Sequence, residues 1–163
     1  MFPDDIQLLA RQVIETAAAR GLTLATAESC TGGLVAAALT AVAGSSAVVD
    51  RGFVTYSNAA KSELLGVPAD LIETVGAVSE AVARAMADGA ARQARARLSV
   101  SVTGVAGPGG GSADTPVGLV HFSAVGPAGA VHVEHRFGNL GREEVRLASV
   151  RVALQLLLDR TGA

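Results

Sequence analysis

The chain is predicted to fold as a three-layer α/β/α sandwich around a mixed, mostly parallel sheet, with residues 1–163 forming a single domain. Three observations predict this. Short runs rich in Val, Leu and Thr alternate with longer Ala-rich stretches of helical spacing. Two late β-type runs flank Gly126-Pro127-Ala128-Gly129, which reads as a hairpin and makes the sheet mixed. Half of the 163 residues are hydrophobic, and no internal repeat or linker-like stretch interrupts them.

Asp4 or Asp5 is expected to cap a first helix running to about Arg20, with Ile6, Leu9, Val13 and Ala17 on its apolar face. Gly21 stops it, and Leu22 to Ala27 reads as a short buried strand. Gly32 to about Val42 reads as a second helix, closed near Gly44. Ala47 to Tyr56 carries Val, Phe and Thr and reads as a strand. Asn58 is a suitable N-cap for a helix to Leu65, and Pro68 opens a further turn through Thr74. Ser79-Glu80 starts a long Ala/Arg helix to about Arg97. Leu98 to Thr103 is a strand, followed by a glycine-rich loop to Thr115. Val117–Val125 and Val131–Phe137 form the hairpin. Gly141 or Arg142 begins the last helix, with Val145, Ala148, Val152 and Leu156 toward the core.

A net charge of −2 gives no general attraction to nucleic acid or to an anionic membrane. The single Cys30 excludes an intrachain disulfide and suits a reducing compartment. The N-terminus has no basic n-region or apolar h-region, so a cytoplasmic location is expected. A metal is not expected: His132 and His135 fall on opposite faces of one strand, His121 lies on its neighbour, and no second cysteine is available.

Four segments can carry chemistry. In Glu28-Ser29-Cys30-Thr31-Gly32-Gly33, a strand ends and a helix begins, so side chains and unpaired amides emerge together. Ser29 then serves as a nucleophile beside an anion-holding turn, or Ser29 or Thr31 merely caps the helix. Cys30 is a rival nucleophile or a small buried hydrophobe. In Tyr56-Ser57-Asn58-Ala59-Ala60-Lys61, the lysine falls in a first helical turn, where the dipole opposes its charge. Burial there would lower its pKa and make it a proton acceptor for a serine. Otherwise Lys61 is an exposed cation offset by Glu63.

The third segment, Thr103 to Gly111, is neither a Walker A loop nor a dinucleotide fingerprint. It reads as a pocket rim at a strand end, or as a flexible connection. In the fourth, Arg142 and Arg146 share a helix face in the first turns. A phosphate or carboxylate would satisfy both, as would local pairing with Glu143 and Glu144.

The combination resembles the C-terminal domain of the competence/damage-inducible protein CinA, a family that includes stand-alone nicotinamide-nucleotide amidohydrolases. The matching motifs are AESCTGG, GSS at 44–46, YSNAAK, GAVS at 76–79, TGVAGPGG, PVGLV at 116–120 and FGNLGREEVR. They span about residues 22 to 150. One departure is Thr115, where the family often has lysine. Longer members carry a partner domain upstream, which this chain is expected to lack.

The resemblance implies deamidation of nicotinamide mononucleotide to the nicotinate form and ammonia. It implies Ser29 as nucleophile, Lys61 as general base, Tyr56 as an orienting or relaying group, and Thr103 as a helper. Cys30, Thr31, Gly32 and Gly33 would hold the oxyanion through their amides. Gly104, Gly107 and Gly109 would enclose the nucleotide, and Arg142 would bind its phosphate, with Arg146 as second candidate. No cofactor is implied, the partner is the small-molecule substrate, and a homo-oligomer is expected. The alternative is a non-catalytic nucleotide-binding or interaction module.

Overall fold

The computed structural model describes residues 1–163. The elements are α1 (Asp4–Ala19), β1 (Leu24–Glu28), α2 (Leu34–Thr40), β2 (Val49–Val54), α3 (Asn58–Leu65), α4 (Ala69–Val75), α5 (Glu80–Ala94), β3 (Leu98–Gly104), β4 (Leu119–Gly126), β5 (Gly129–Arg136) and α6 (Arg142–Arg160). A 3-10 turn at Ser45–Ala47 precedes β2. The sheet order is β2-β1-β3-β4-β5. β1 pairs in parallel with β2 and β3, whereas β4 pairs antiparallel with β3 and β5. Only β4 therefore runs against the other four strands. This is the mixed three-layer sandwich that the alternation of elements implies.

Alternation along the strands sends side chains to two unequal cores. Leu24, Val100, Val102 and Phe122 join α1, α2 and α6 in a cluster of 26 buried residues. Ala25 and Ala27 face the other way, into a cluster of ten with Leu65, Ile72, Val82 and Met86 from α3, α4 and α5. The second layer is thin because it is built on alanine, and β3 turns a polar row toward it. The hydroxyls of Ser99, Ser101 and Thr103 donate to the carbonyls of Ala87, Ala83 and Ala77 at 2.8, 2.6 and 2.9 Å. Buried hydroxyls are satisfied by such partners, and main-chain carbonyls have a spare lone pair to offer. No helix is long and apolar enough to cross a membrane.

Several expected boundaries move. The N-cap of α1 is Pro3, so Asp4 and Asp5 lie in the first turn, where they complement the dipole. Asp5 also pairs with Arg151, tying α1 to α6. α2 starts at Leu34, because Gly32 and Gly33 adopt left-handed φ of +57° and +102°. Ser57, not Asn58, caps α3: its Oγ accepts the Ala60 amide at 3.0 Å. Ser79 caps α5 as its position suggests. On α6 the buried face centres on Val145, Ser149, Val150, Ala153, Leu154 and Leu157, while Ala148 and Val152 are only half-buried. Ser149 enters the core because its hydroxyl donates to the Val145 carbonyl at 2.7 Å, which removes the cost of burying it.

Candidate active site

The parallel half of the sheet places two turns side by side. β1 ends at Glu28, and the next residue continues the ladder for one bond, Ser29 N–H to Val102 O at 2.9 Å. The chain then closes a tight turn in which the Gly32 amide donates to Ser29 O at 3.0 Å. Two consecutive residues with positive φ follow, a path that only glycine takes without strain. Among the amides from Cys30 to Gly33, only that of Gly32 has an acceptor within the protein. Those of Cys30, Thr31 and Gly33 have none.

Neither Ser29 nor Thr31 caps α2. That task falls to Glu28, which is fully buried and whose two carboxylate oxygens accept the amides of Val35 and Ala36 at 2.9 and 3.1 Å. A carboxylate at a helix N-terminus is favoured by both the dipole and the unpaired amides. Here the cap comes from the preceding strand, with a glycine turn between. The sequence reading assigned Glu28 no role. Its only signal is an acidic residue ending an otherwise uncharged strand, six residues before α2.

Ser29 is half-buried, and its Oγ lies 3.1 Å from Lys61 Nζ. Lys61 stands in the first turn of α3, one position later than expected because Ser57 is the cap. Its side chain is 1% exposed. Nζ also donates to the Thr55 carbonyl at 2.8 Å, and no carboxylate pairs with it. Burial holds its pKa below the usual 10.5, and the helix dipole acts in the same direction. A neutral amine has two hydrogens and one lone pair. With one hydrogen fixed on Thr55 O, the lone pair can turn to the Ser29 hydroxyl. The exposed, Glu63-balanced lysine is thereby excluded.

Tyr56 does not join this pair. Its ring is 60% exposed, and its hydroxyl accepts from Arg142 Nη2 at 3.0 Å. Arg142 Nη1 donates to the Gly107 carbonyl at 2.8 Å. Arg142 thus links the Tyr56 turn to the glycine loop, and Tyr56 stands at the rim rather than between base and nucleophile. Arg146 is committed elsewhere: Nε donates to Cys30 O and Nη2 to Thr31 O, both at 3.1 Å. The shared face of the two arginines is real, but each already has main-chain partners, and neither pairs with Glu143 or Glu144.

Thr103 is buried beside the turn, yet its hydroxyl hydrogen is spent on Ala77 O, so it does not donate to an oxyanion. The loop glycines divide. A Cβ at Gly104 would lie 2.7 Å from Leu119 O, and one at Gly107 2.7 Å from Val117 Cγ1, so packing requires both. Gly109 is exposed, with open space around it, and alone of the three is open to a ligand. Thr115 closes a local turn with Ser112, its hydroxyl 2.8 Å from the serine's.

Cys30 is 5% exposed and packs in the larger core. Burial pushes its thiol up to about 11, so it is not a thiolate at neutral pH. His121 Nδ1 and His132 Nε2 share a hydrogen bond at 2.9 Å, while His135 stacks on Phe137, two residues further along the chain. No three His, Cys, Asp or Glu side chains converge as a metal site would require. An apolar hollow of about 380 Å³ lies between α1 and α2, lined by Phe2, Ile6 and Ile14 among others, and contains none of these functional side chains.

Comparison with known proteins gives a consistent grouping. The CinA C-terminal domain family model matches residues 6–161. A CinA-like protein of Synechococcus sp. (strain RCC307) is 54% identical over 157 residues, covering 96% of this chain and 38% of that protein. The chain spans a little over a third of the length of such CinA-like relatives, 35% in the case of Anaeromyxobacter dehalogenans (strain 2CP-C). A nicotinamide-nucleotide amidohydrolase PncC of Enterobacter agglomerans is 53% identical over 140 residues, with 86% of this chain and 85% of the relative covered. The crystal structure of competence/damage inducible protein CihA from Agrobacterium tumefaciens superposes with a TM-score of 0.95 at 56% identity, covering 98% and 97% of the two chains.

Proposed function

The chain belongs to the CinA C-terminal domain family, and from that premise we propose that it hydrolyses the carboxamide of nicotinamide mononucleotide, giving nicotinate mononucleotide and ammonia. The observation that carries this reading is the approach of a buried Lys61 amine, with no carboxylate partner, to the Ser29 hydroxyl at 3.1 Å. The amidohydrolase relative, 53% identical, supports the substrate.

In this mechanism Lys61 Nζ takes the proton of Ser29 as Oγ attacks the carboxamide carbon. The negative charge that develops on the carboxamide oxygen is held by amides of the turn other than that of Gly32, namely those of Cys30, Thr31 and Gly33. The C–N bond then breaks, and the proton on Lys61 leaves with the nitrogen as ammonia. Water, deprotonated by the same amine, attacks the ester carbon. It releases the carboxylic acid and returns the proton to Ser29 Oγ. Arg142 binds the phosphate by exchanging its bonds to Tyr56 and Gly107 for phosphate oxygens, and Gly109 lets the loop backbone approach the nucleotide.

The test is ammonia and nicotinate mononucleotide formation by purified protein, compared with Ser29→Ala. Wild type is expected to form both products. The alanine variant is expected to lose at least about a thousandfold in turnover at unchanged melting temperature. Near-normal turnover by Ser29→Ala would remove the covalent route. No product from the wild type would leave the binding-module reading.

A further inference from the structure

We infer that Arg146 is a positioning residue that aims the nucleophile turn, and not an anion ligand; the inference rests on the Ser29 hydrolase reading. The turn from Ser29 to Gly33 has little internal rigidity. Its main-chain bonds are two, Gly32 N–H to Ser29 O at 3.0 Å and Leu34 N–H to Thr31 O at 3.1 Å, which leaves Cys30 O with no main-chain donor, and its last two residues are glycines. Rigidity must come from outside it. Glu28 fixes the downstream end by capping α2. Arg146, one turn into α6, fixes the middle, where its planar fork grips two successive carbonyls, Cys30 O and Thr31 O, at 3.1 Å each.

The consequence follows from peptide geometry. In a trans peptide the N–H points opposite to the C=O of the same unit. Holding Cys30 C=O toward α6 therefore directs the Thr31 N–H away from it. Holding Thr31 C=O in the same way directs the Gly32 N–H, which is the group that closes the turn on Ser29 O. The guanidinium lies close over this backbone: a Cβ at Gly32 would come within 3.3 Å of Nη2. A planar, two-point donor suits this task, and a lysine ammonium cannot reproduce it.

The experiment compares wild type, Arg146→Ala and Arg146→Lys as purified full chains. Steady-state kinetics are measured on nicotinamide mononucleotide with and without millimolar guanidinium, and Gly32 amide exchange is followed by NMR. Both variants are expected to lose kcat by about tenfold to a hundredfold, with KM changed by less than about threefold. Guanidinium is expected to restore part of the kcat of Arg146→Ala and none of that of the wild type. Gly32 exchange is expected to accelerate by at least about tenfold in both variants. A large rise in KM at preserved kcat would identify Arg146 as an anion ligand and overturn the inference, as would unchanged Gly32 exchange. If the wild type releases no ammonia, the hydrolase reading fails, while Gly32 exchange still decides whether Arg146 holds the turn. If the alanine variant does not fold, the lysine variant supplies both the kinetic split and the exchange rate.

Discussion

Replacing Lys61 by methionine keeps most of the buried volume and removes the amine. Lys61 is 1% exposed, and burial lowers its pKa from 10.5. It therefore binds a proton less readily in the folded protein than in the unfolded chain. Stability rises with pH wherever the unfolded state binds more protons. For Lys61 that window runs from its lowered folded pKa up to 10.5, and the cost of the buried charge is fully present below it. Each unit of depression corresponds to about 1.4 kcal/mol. Methionine abolishes this slope. It also strips the Thr55 carbonyl of a hydrogen bond seen at 2.8 Å, a loss of about 1–3 kcal/mol. The two effects oppose each other near neutral pH, so the slope is the diagnostic quantity. Urea unfolding midpoints are compared from about pH 7 upward. Wild type is expected to gain on Lys61→Met as pH approaches 10.5, and kcat/KM of the wild type is expected to rise with loss of one proton, at a midpoint below 10.5. Parallel stability curves across that range would mean that the amine ionises as it does in water, and the general-base role would fall with it.

Cys30→Ala is expected to keep ammonia release within about threefold and to lose about 1 kcal/mol of stability, because it removes a buried sulfur from a packed core; loss of activity would reinstate the cysteine as nucleophile. Neutral iodoacetamide is expected to leave the wild type active, since the thiol titrates at about 11. Arg142→Ala is expected to raise KM for nicotinamide mononucleotide by about tenfold to a hundredfold, with little change for the dephosphorylated riboside. An equal effect on both substrates would remove the phosphate assignment. Glu28→Gln keeps one acceptor for the two amides of α2 and sets an N–H against the other, and is expected to cost about 1–3 kcal/mol in urea unfolding. Wild-type stability in this variant would show that the second carboxylate oxygen carries no share of the cap.

The strand-turn-helix at Ser29 and the lysine in a first turn were legible because both are local: periodicity marks the strand and helix, and glycine and cap residues mark the joints. Cap choice was legible only to within a residue, since Ser57 and Asn58 both suit the position and the chain can use only one. Side-chain pairing across the fold was not legible. Arg142 meets Tyr56 at a sequence separation of 86, and Arg146 meets Cys30 at 116. Helical spacing shows that two arginines share a face but not what stands opposite it. The hydroxyl of Thr103 is ambiguous in the sequence for a related reason: a polar residue at a strand end faces either a ligand or the next layer, and here the Ala77 carbonyl accepts its hydrogen. Gly104 and Gly107 carry the same ambiguity between close ligand approach and close packing, which the positions of Leu119 and Val117 resolve.

A helix of small side chains offers the sheet a nearly smooth surface, over which it could slide by a turn at little cost. The three hydroxyls of β3 remove that freedom. Spaced two residues apart on the strand, they engage carbonyls at Ala87, Ala83 and Ala77, stepping along α5 and into the segment before it. They act as a vernier between the two layers, so α5 has one axial setting in which all three bonds close. The 76–79 segment inherits that setting and so stays at a fixed height beside the end of β3.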